Sequence, residues 1–313
     1  MRGGATQALD AVLHASTLTL PLDDAETGSV IWVKLEFQLP SGSTKDRIAA
    51  RILGSALDEG RIDDASRVVE ASSGSTSISF AMLCAQLDLP FLAVMPKGVS
   101  PERLQIIGRY GGEWELTPTD EGVPGSIERV RELVAGDEHV FWPDQFANPH
   151  NAEAHELVTG PQLLEQIRAA GDHLDGFVAS VGTGGTLMGV GRAVRKQYPD
   201  AAIGRVMVSG EPADAEQGGL PCGIPGVVDC LSDLLDREEL EFVDDLPVSR
   251  DVALATTREL GARGFPVGPS SGLNVAGARL LARRLGPGAR VATVLSDRME
   301  RYFSTDLFDD LPG

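Results

Sequence analysis

The chain has 313 residues, 42% hydrophobic and 23% charged, a globular composition with length enough for one large core or two smaller ones. Its 27 basic and 46 acidic side chains leave a net charge of −19, which repels nucleic acid and anionic lipid and so excludes both as expected partners. No apolar run approaches the roughly 18 residues of a membrane span, MRGGATQALDAVLHAS lacks the order of a secretory signal, and three irregularly spaced cysteines (Cys84, Cys222, Cys230) indicate a reducing cytoplasm without a zinc motif.

Apolar β-rich runs alternate with helical patterns along the chain. IWVKLEF predicts a strand, and KDRIAARILGSALDEG predicts a helix with Ile48, Ile52 and Leu53 on one face. RVVEA is a short strand leading to the helix STSISFAMLCAQL, where Cys84 reads as a buried thiol. PFLAVMP is a strand. SPERLQIIGRYG is a helix with a serine cap and a proline in its first turn, and WELTP is again a strand. DGFVASV, a strand, runs through GTGGT into the helix TLMGVGRAVRKQY. The strand RVMVSGE, the helices VSRDVALATTRELGARG and NVAGARLLARRLG and the strand RVATVLSD complete the pattern. Such alternation predicts an α/β fold with one or two open, mostly parallel sheets flanked by helices.

In parallel sheets ligands sit in the loops that leave the carboxyl ends of strands. Here those loops include SGST (41–44), SSGST (72–76) and GTGGT (182–186), each rich in glycine and hydroxyl groups. GTGGT has the small residues and the helix start of a phosphate cup, with Thr183 and Thr186 as added donors. A tight turn without a ligand explains it equally well. Leu187 stands where a dinucleotide fingerprint needs glycine, which argues against a nucleotide-dependent oxidoreductase, and no Walker lysine follows. Lys45, just after SGST, reads as an ordinary helix-start lysine or as a desolvated amine able to form a Schiff base with an aldehyde. A phosphate cup and such an amine together suit one cofactor, pyridoxal 5′-phosphate.

Seven ordered segments then carry a resemblance that spans nearly the whole chain. They are KLEFQLPSGSTKDRIA, VVEASSGSTSIS, DQFANPHNAEAHELVTGPQL, VGTGGTLMGVGR, LPCGIPG, VGPSSGLNVAGA and SDRMERYFST. The chain resembles the cysteine synthase / cystathionine β-synthase family of pyridoxal-phosphate enzymes, with the tryptophan synthase β-like fold (fold type II). The resemblance implies two lobes. Residues 40–147 would form the smaller lobe with the substrate loop, and residues 1–39 and 148–313 the larger lobe with the phosphate cup. It assigns Lys45 as the Schiff-base lysine and general base, and Gly182, Thr183, Gly184, Gly185 and Thr186 as the cup. Ser72, Ser73, Gly74, Thr76 and Gln145 would hold the substrate carboxylate, and Gly223 and Ile224 would face the substrate. It also implies a small amino-acid substrate and a homodimer.

Two departures stand out. Ser75 occupies the place where the family's loop commonly has the asparagine that contacts the cofactor's 3′ oxygen; SSGST between VVEA and LPFLAVMP, with Asn274, resembles a cysteine desulfhydrase branch. SDRMERY replaces the family's Pro-Ser-x-Gly-Glu-Arg-Tyr, so Asp297 or Arg298 falls where a hydroxyl would face the pyridine nitrogen. What the resemblance implies chemically is β-replacement on a three-carbon amino acid through an aminoacrylate, as in O-acetylserine sulfhydrylase. The alternatives are β-elimination of cysteine to pyruvate, ammonia and sulfide, or a specialised β-replacement. A cofactor-binding protein without catalysis is disfavoured by the intact Lys45 and cup. His150 and His155, in the crossover segment, read as structural.

Overall fold

The computed structural model describes residues 2–24, 27–209, 223–227, 232–235 and 243–309. Among these described residues, ten strands form two sheets. The first contains β1 (Thr19–Asp24), β2 (Ser29–Leu35), β7 (Gly176–Ser180), β8 (Ala202–Ser209), β9 (Val243–Ser249) and β10 (Arg290–Leu295), ordered β1-β2-β10-β7-β8-β9. All neighbours in it are parallel except β1 and β2, which pair antiparallel. The second holds β3 (Arg67–Ala71), β4 (Phe91–Pro96), β5 (Glu113–Thr117) and β6 (Val140–Phe141), all parallel, in the order β5-β4-β3-β6. The helices are α1 (Arg2–Leu13), α2 (Lys45–Asp58), α3 (Ser75–Gln86), α4 (Pro101–Arg109), α5 (Gly122–Gly136), α6 (His150–Ala154), α7 (Gly160–Ala169), α8 (Gly185–Gln197), α9 (Arg250–Ala262) and α10 (Pro269–Leu285). The expected α/β fold of parallel sheets flanked by helices is therefore present.

Several elements carry weak sequence signals. β1 and β9 contain Pro21 and Pro247, tolerated because both strands are sheet edges, where a missing N–H costs no ladder bond. α5 opens Gly-Val-Pro-Gly, residues that usually break a helix; Pro124 sits in the first turn, whose N–H groups have no intrahelical partner anyway. IWVKLEF ends as a strand at Leu35, and Glu36–Gln38 form a 3₁₀ turn. Ser100 precedes α4 as expected, but its hydroxyl does not cap the helix; it donates to the carbonyl of Arg301 at 2.8 Å and ties α4 to the C-terminal segment.

The cores follow the sheets. Leu35, Val206, Leu246, Leu273 and Val291 pack on one side of the six-stranded sheet, and Trp32, Phe177, Val190, Ile203 and Val294 on the other. Ile52, Phe80, Leu83, Phe91 and Ile107 pack beside the four-stranded sheet. Leu9 and Val12 of α1 belong to this last cluster. The first helix of the chain crosses over to cover α2 and α3. Cys84 is fully buried in the same cluster, as expected, and burial pushes its thiol up; Cys222 and Cys230 lie outside the described residues.

A buried ion pair fixes the approach to α2. Arg47 donates to both carboxylate oxygens of Glu36, at 2.6 and 2.8 Å, and its other nitrogen reaches the Leu13 carbonyl at 2.6 Å. Thr17 adds a 2.8 Å hydrogen bond to Glu36. Arg47→Met should strand the Glu36 carboxylate and lower stability by about 3–5 kcal/mol, the usual cost of breaking one side of a buried pair. A denaturant titration checks this; an unchanged midpoint would show that the pair adds nothing.

Candidate active site

The carboxyl ends of β2, β3, β7 and β10 lead into one cleft of about 880 Å³ counting its open mouth. Four loops meet there because the two sheets turn these edges toward each other. Ser43 and Lys45 come from the loop after β2, Ser72, Ser73, Ser75 and Thr76 from the loop after β3, Gly182, Thr183, Gly184 and Thr186 from the loop after β7, and Ser296 and Asp297 from the end of β10. Segments some 250 residues apart in sequence are stitched together by backbone: Thr44 N donates to Ser296 O at 2.8 Å and Arg298 N to Gly42 O at 3.0 Å. The opening lysine of α2 is thus held against the C-terminal segment. Burial lowers the Lys45 amine below an ordinary lysine; Asp297 opposes that effect and Arg301 adds to it.

The loop after β7 is shaped by what it touches. A Cβ on Gly182 would lie 2.3 Å from the Gly226 carbonyl oxygen, and one on Gly185 would lie 1.9 Å from Asn151 Oδ1. Gly184 has φ +83°, a left-handed conformation that favours glycine, just before α8 begins. Thr183 accepts a 2.8 Å hydrogen bond from Asn151 Nδ2, whose amide also reaches Gln145 O at 2.8 Å. Thr186 Oγ1 lies 3.2 Å from His155 Nε2, and His155 Nδ1 lies 2.9 Å from Thr159 Oγ1. Burial brings the His155 pKa down to about 3, so the imidazole is neutral. His155 sits on a π-helical turn, His155–Thr159, which presses on α8 where Gly189 has no side chain. His155, read from the sequence as structural, and Asn151 therefore support the loop 182–186 from behind. His150 is bound to Glu153 and Ser55 on the outside of the crossover segment.

At the other end, Ser75 Oγ donates to Asp297 Oδ2 at 2.9 Å, and the Tyr302 hydroxyl donates to the same oxygen at 2.7 Å. Burial and the Asp297 charge hold Tyr302 protonated, so it is the donor. Asp297 Oδ1 is buried and has no hydrogen-bond partner among the described residues. Of the two candidates in SDRMERY, Asp297 lines the cleft; Arg298 does not, and its guanidinium pairs with Glu300 at 2.9 Å on the outer side. Arg298 is corrected to a surface position because alternate residues of an extended segment face opposite ways. Ile224, fully buried in the core, and Gly223, whose carbonyl accepts from Arg250 at 3.2 Å, also stand behind the wall; Pro225 and Gly226 line it instead. Gly74 and Gly185 shape their loops through the backbone without lining the cleft. Sequence reasoning missed Ser270, Arg103 and Tyr302, all of which line it. Ser270 opens α10 within the quoted PSSG, so its signal was a hydroxyl at a helix start.

Gln145 joins the loop 72–76 to the cleft floor. Its Oε1 accepts from Thr76 Oγ1 at 2.7 Å and its Nε2 donates to Ala71 O at 2.7 Å. Beneath it lies Glu70, fully buried, whose pKa burial and nearby Asp144 push up to about 8 despite donors from Gln145, Trp142 and Ala71. The folded state holds this proton more tightly than the unfolded chain, where a glutamate titrates near 4.5. Its contribution to stability is full below pH 4.5 and is lost as pH rises through about 8. Urea midpoints of the wild type should fall across that window, and those of Glu70→Gln should fall less; parallel curves would show that the carboxyl does not titrate.

Comparison with known proteins agrees with this geometry. A family model described as pyridoxal-phosphate dependent enzyme matches residues 11–297. The chain is 40% identical to a cysteine synthase of Staphylococcus aureus over 292 residues, 90% of each chain. It is similar to the solved structure of a hydrogen sulfide-producing enzyme from Fusobacterium nucleatum, with TM-score 0.87 and 32% identity over 97% of this chain and 92% of that one. It is also similar to an O-acetylserine dependent cystathionine β-synthase from Helicobacter pylori, with TM-score 0.84 and 29% identity over 96% and 97% of the two chains.

Proposed function

Since the chain belongs to the pyridoxal-phosphate dependent enzyme family, we propose that the cleft is its active site and that Lys45 is the residue that carries the cofactor. The protein is a pyridoxal-phosphate-dependent enzyme of the fold type II class, and its chemistry is cysteine synthase-like β-replacement on an amino acid. The residues fit the cofactor. The loop 182–186 suits a phosphate by its glycines, two threonines and the start of α8, and its Gly182 packs directly on the Gly226 carbonyl, leaving no room for a Cβ. Lys45 supplies an amine whose pKa burial has lowered, the form needed to hold an aldehyde carbon and, when released, to take a proton from the substrate Cα. When bound, the cofactor supplies the electron sink for loss of that proton and of the group on Cβ.

The remaining roles follow from position. The backbone of Ser72, Ser73 and Thr76 at the start of α3, with the Gln145 amide, holds the substrate carboxylate. Asp297 accepts from the Ser75 hydroxyl, and its charge favours the protonated Lys45 amine; Ser270 offers a hydroxyl in the same cleft. Residues around 40–147 form a smaller lobe that closes over the larger one, with α1 attached to it. The protein works as a homodimer in the cytoplasm. The observation that carries this reading is a buried amine between a phosphate-sized cradle and a carboxylate-sized helix start.

β-Elimination from cysteine is the second reading, favoured by Ser75 and by the likeness to a hydrogen sulfide-producing enzyme. Purified protein is supplied with O-acetyl-L-serine and sulfide, and separately with cysteine alone. Cysteine formation with little pyruvate supports the synthase reading. Rapid pyruvate and sulfide from cysteine supports elimination, and no reaction with either would remove both.

A further inference from the structure

Arg103 lines the cleft and is only 4% exposed. A buried guanidinium ordinarily has a carboxylate beside it, because an unpaired buried charge is costly. This one has none within ion-pair distance among the described residues. Its one hydrogen bond is from Nη1 to Ser100 Oγ at 3.2 Å, and its Nε has no acceptor at all. The Tyr302 ring, 4.9 Å from the guanidinium carbon, gives partial compensation through its π face. Asp297, which lines the same cleft, is instead engaged by Ser75, Tyr302 and Arg301.

The orphaned Nε has a definite location. A Cβ placed on Gly74 would lie 2.1 Å from Arg103 Cδ and 2.4 Å from Nε. Gly74, with φ +148°, therefore exists as glycine so that the arginine stem presses directly on the loop 72–76 at the start of α3. That loop offers hydroxyls and helix-start N–H groups but no positive charge. Gln145 Oε1 is taken by Thr76, one N–H of its amide goes to Ala71, and the Gly74 N–H is taken by Ser72 Oγ at 2.9 Å. A carboxylate offers about four lone-pair sites, more than the remaining amide and helix-start N–H groups satisfy in charge.

We infer that Arg103 is the counter-charge of the substrate's α-carboxylate, its free N–H groups meeting that anion beside Gly74. The inference rests on the cofactor reading above and deepens it. Failure of that reading would show as wild-type protein without the visible absorbance of bound cofactor, before any variant is made.

The test uses holoenzyme with L-alanine and L-alaninamide, two unreactive amines that differ only in the carboxylate, titrated by the change in cofactor absorbance. Arg103→Gln should weaken L-alanine about 10- to 150-fold while leaving L-alaninamide within about twofold, with cofactor content unchanged, since charged hydrogen bonds contribute about 1.5–3 kcal/mol. Arg103→Lys should recover most of the discrimination. Equal weakening of both ligands, weakening of neither, or a lysine variant no better than glutamine would overturn the assignment. A crystal structure of wild-type holoenzyme with L-alanine decides the point without a variant. A carboxylate oxygen within hydrogen-bond reach of an Arg103 nitrogen supports the inference, and a carboxylate held only by 72–76 and Gln145 overturns it.

Discussion

Lys45→Ala should yield a folded protein that has lost turnover by about 10²–10⁴-fold, the scale on which a positioned proton-transfer group acts. The fold should survive because the side chain lies at the first position of α2 and faces the cleft, while the core face of that helix is built by Ile48, Ile52 and Leu53. Removing an amine with a lowered pKa also removes an unfavourable burial, so thermal stability should hold or rise slightly. The cofactor phosphate should still bind, but the absorbance of lysine-linked cofactor should vanish. Wild-type absorbance in the variant would mean that another amine carries the cofactor. Lys34 is the alternative that burial has also prepared, with a pKa lowered to about 8, but it is buried away from the cleft against Thr17 and Gln166.

The second large effect concerns the cradle. Gly182→Ala places a methyl 2.3 Å from the carbonyl oxygen of Gly226, a backbone atom that cannot rotate away. Either the 182–186 loop or the 225–226 segment must move, and both line the cleft. Cofactor affinity should fall about 100-fold, equivalent to about 2.7 kcal/mol, while pyridoxal without its phosphate should bind nearly as before. Equilibrium titration of apoprotein with both compounds checks this. Unchanged affinity for the phosphate form would show that the loop is only a turn. Gly184 responds for a different reason: a side chain there meets Leu235 at 2.7 Å and strains a left-handed backbone, so its loss of affinity comes from distortion and not from a methyl facing the phosphate.

Much of the site was legible because its loops are short and chemically marked. Lys45, SSGST and GTGGT each announce themselves by composition at the junction of a strand and a helix, a local property that sequence carries. Positions defined by a partner far along the chain were less legible. Asp297 and Arg298 are adjacent and both charged; only the pairing of 296–298 with 42–44 decides that Asp297 turns inward toward Ser75 and Tyr302. Arg103 looks like a surface arginine of an amphipathic helix until Gly74 is seen pressed against its stem. His155 reads as structural from the sequence, but only the folded chain shows that it and Asn151 brace the loop 182–186 from behind.

The same division holds for the fold. Alternating strands and helices, and the identity of the lysine and of the glycine-rich loops, were determined by the sequence alone, because hydrophobic period and small-residue turns are set by neighbours along the chain. The edge strands with proline, the helix α5 that opens Gly-Val-Pro-Gly and the placement of α1 on the smaller core were decided only by tertiary structure. An edge tolerates a missing N–H, a first turn needs no N–H partner, and an apolar face goes wherever the folded chain leaves a surface to cover, conditions that no local stretch of residues contains.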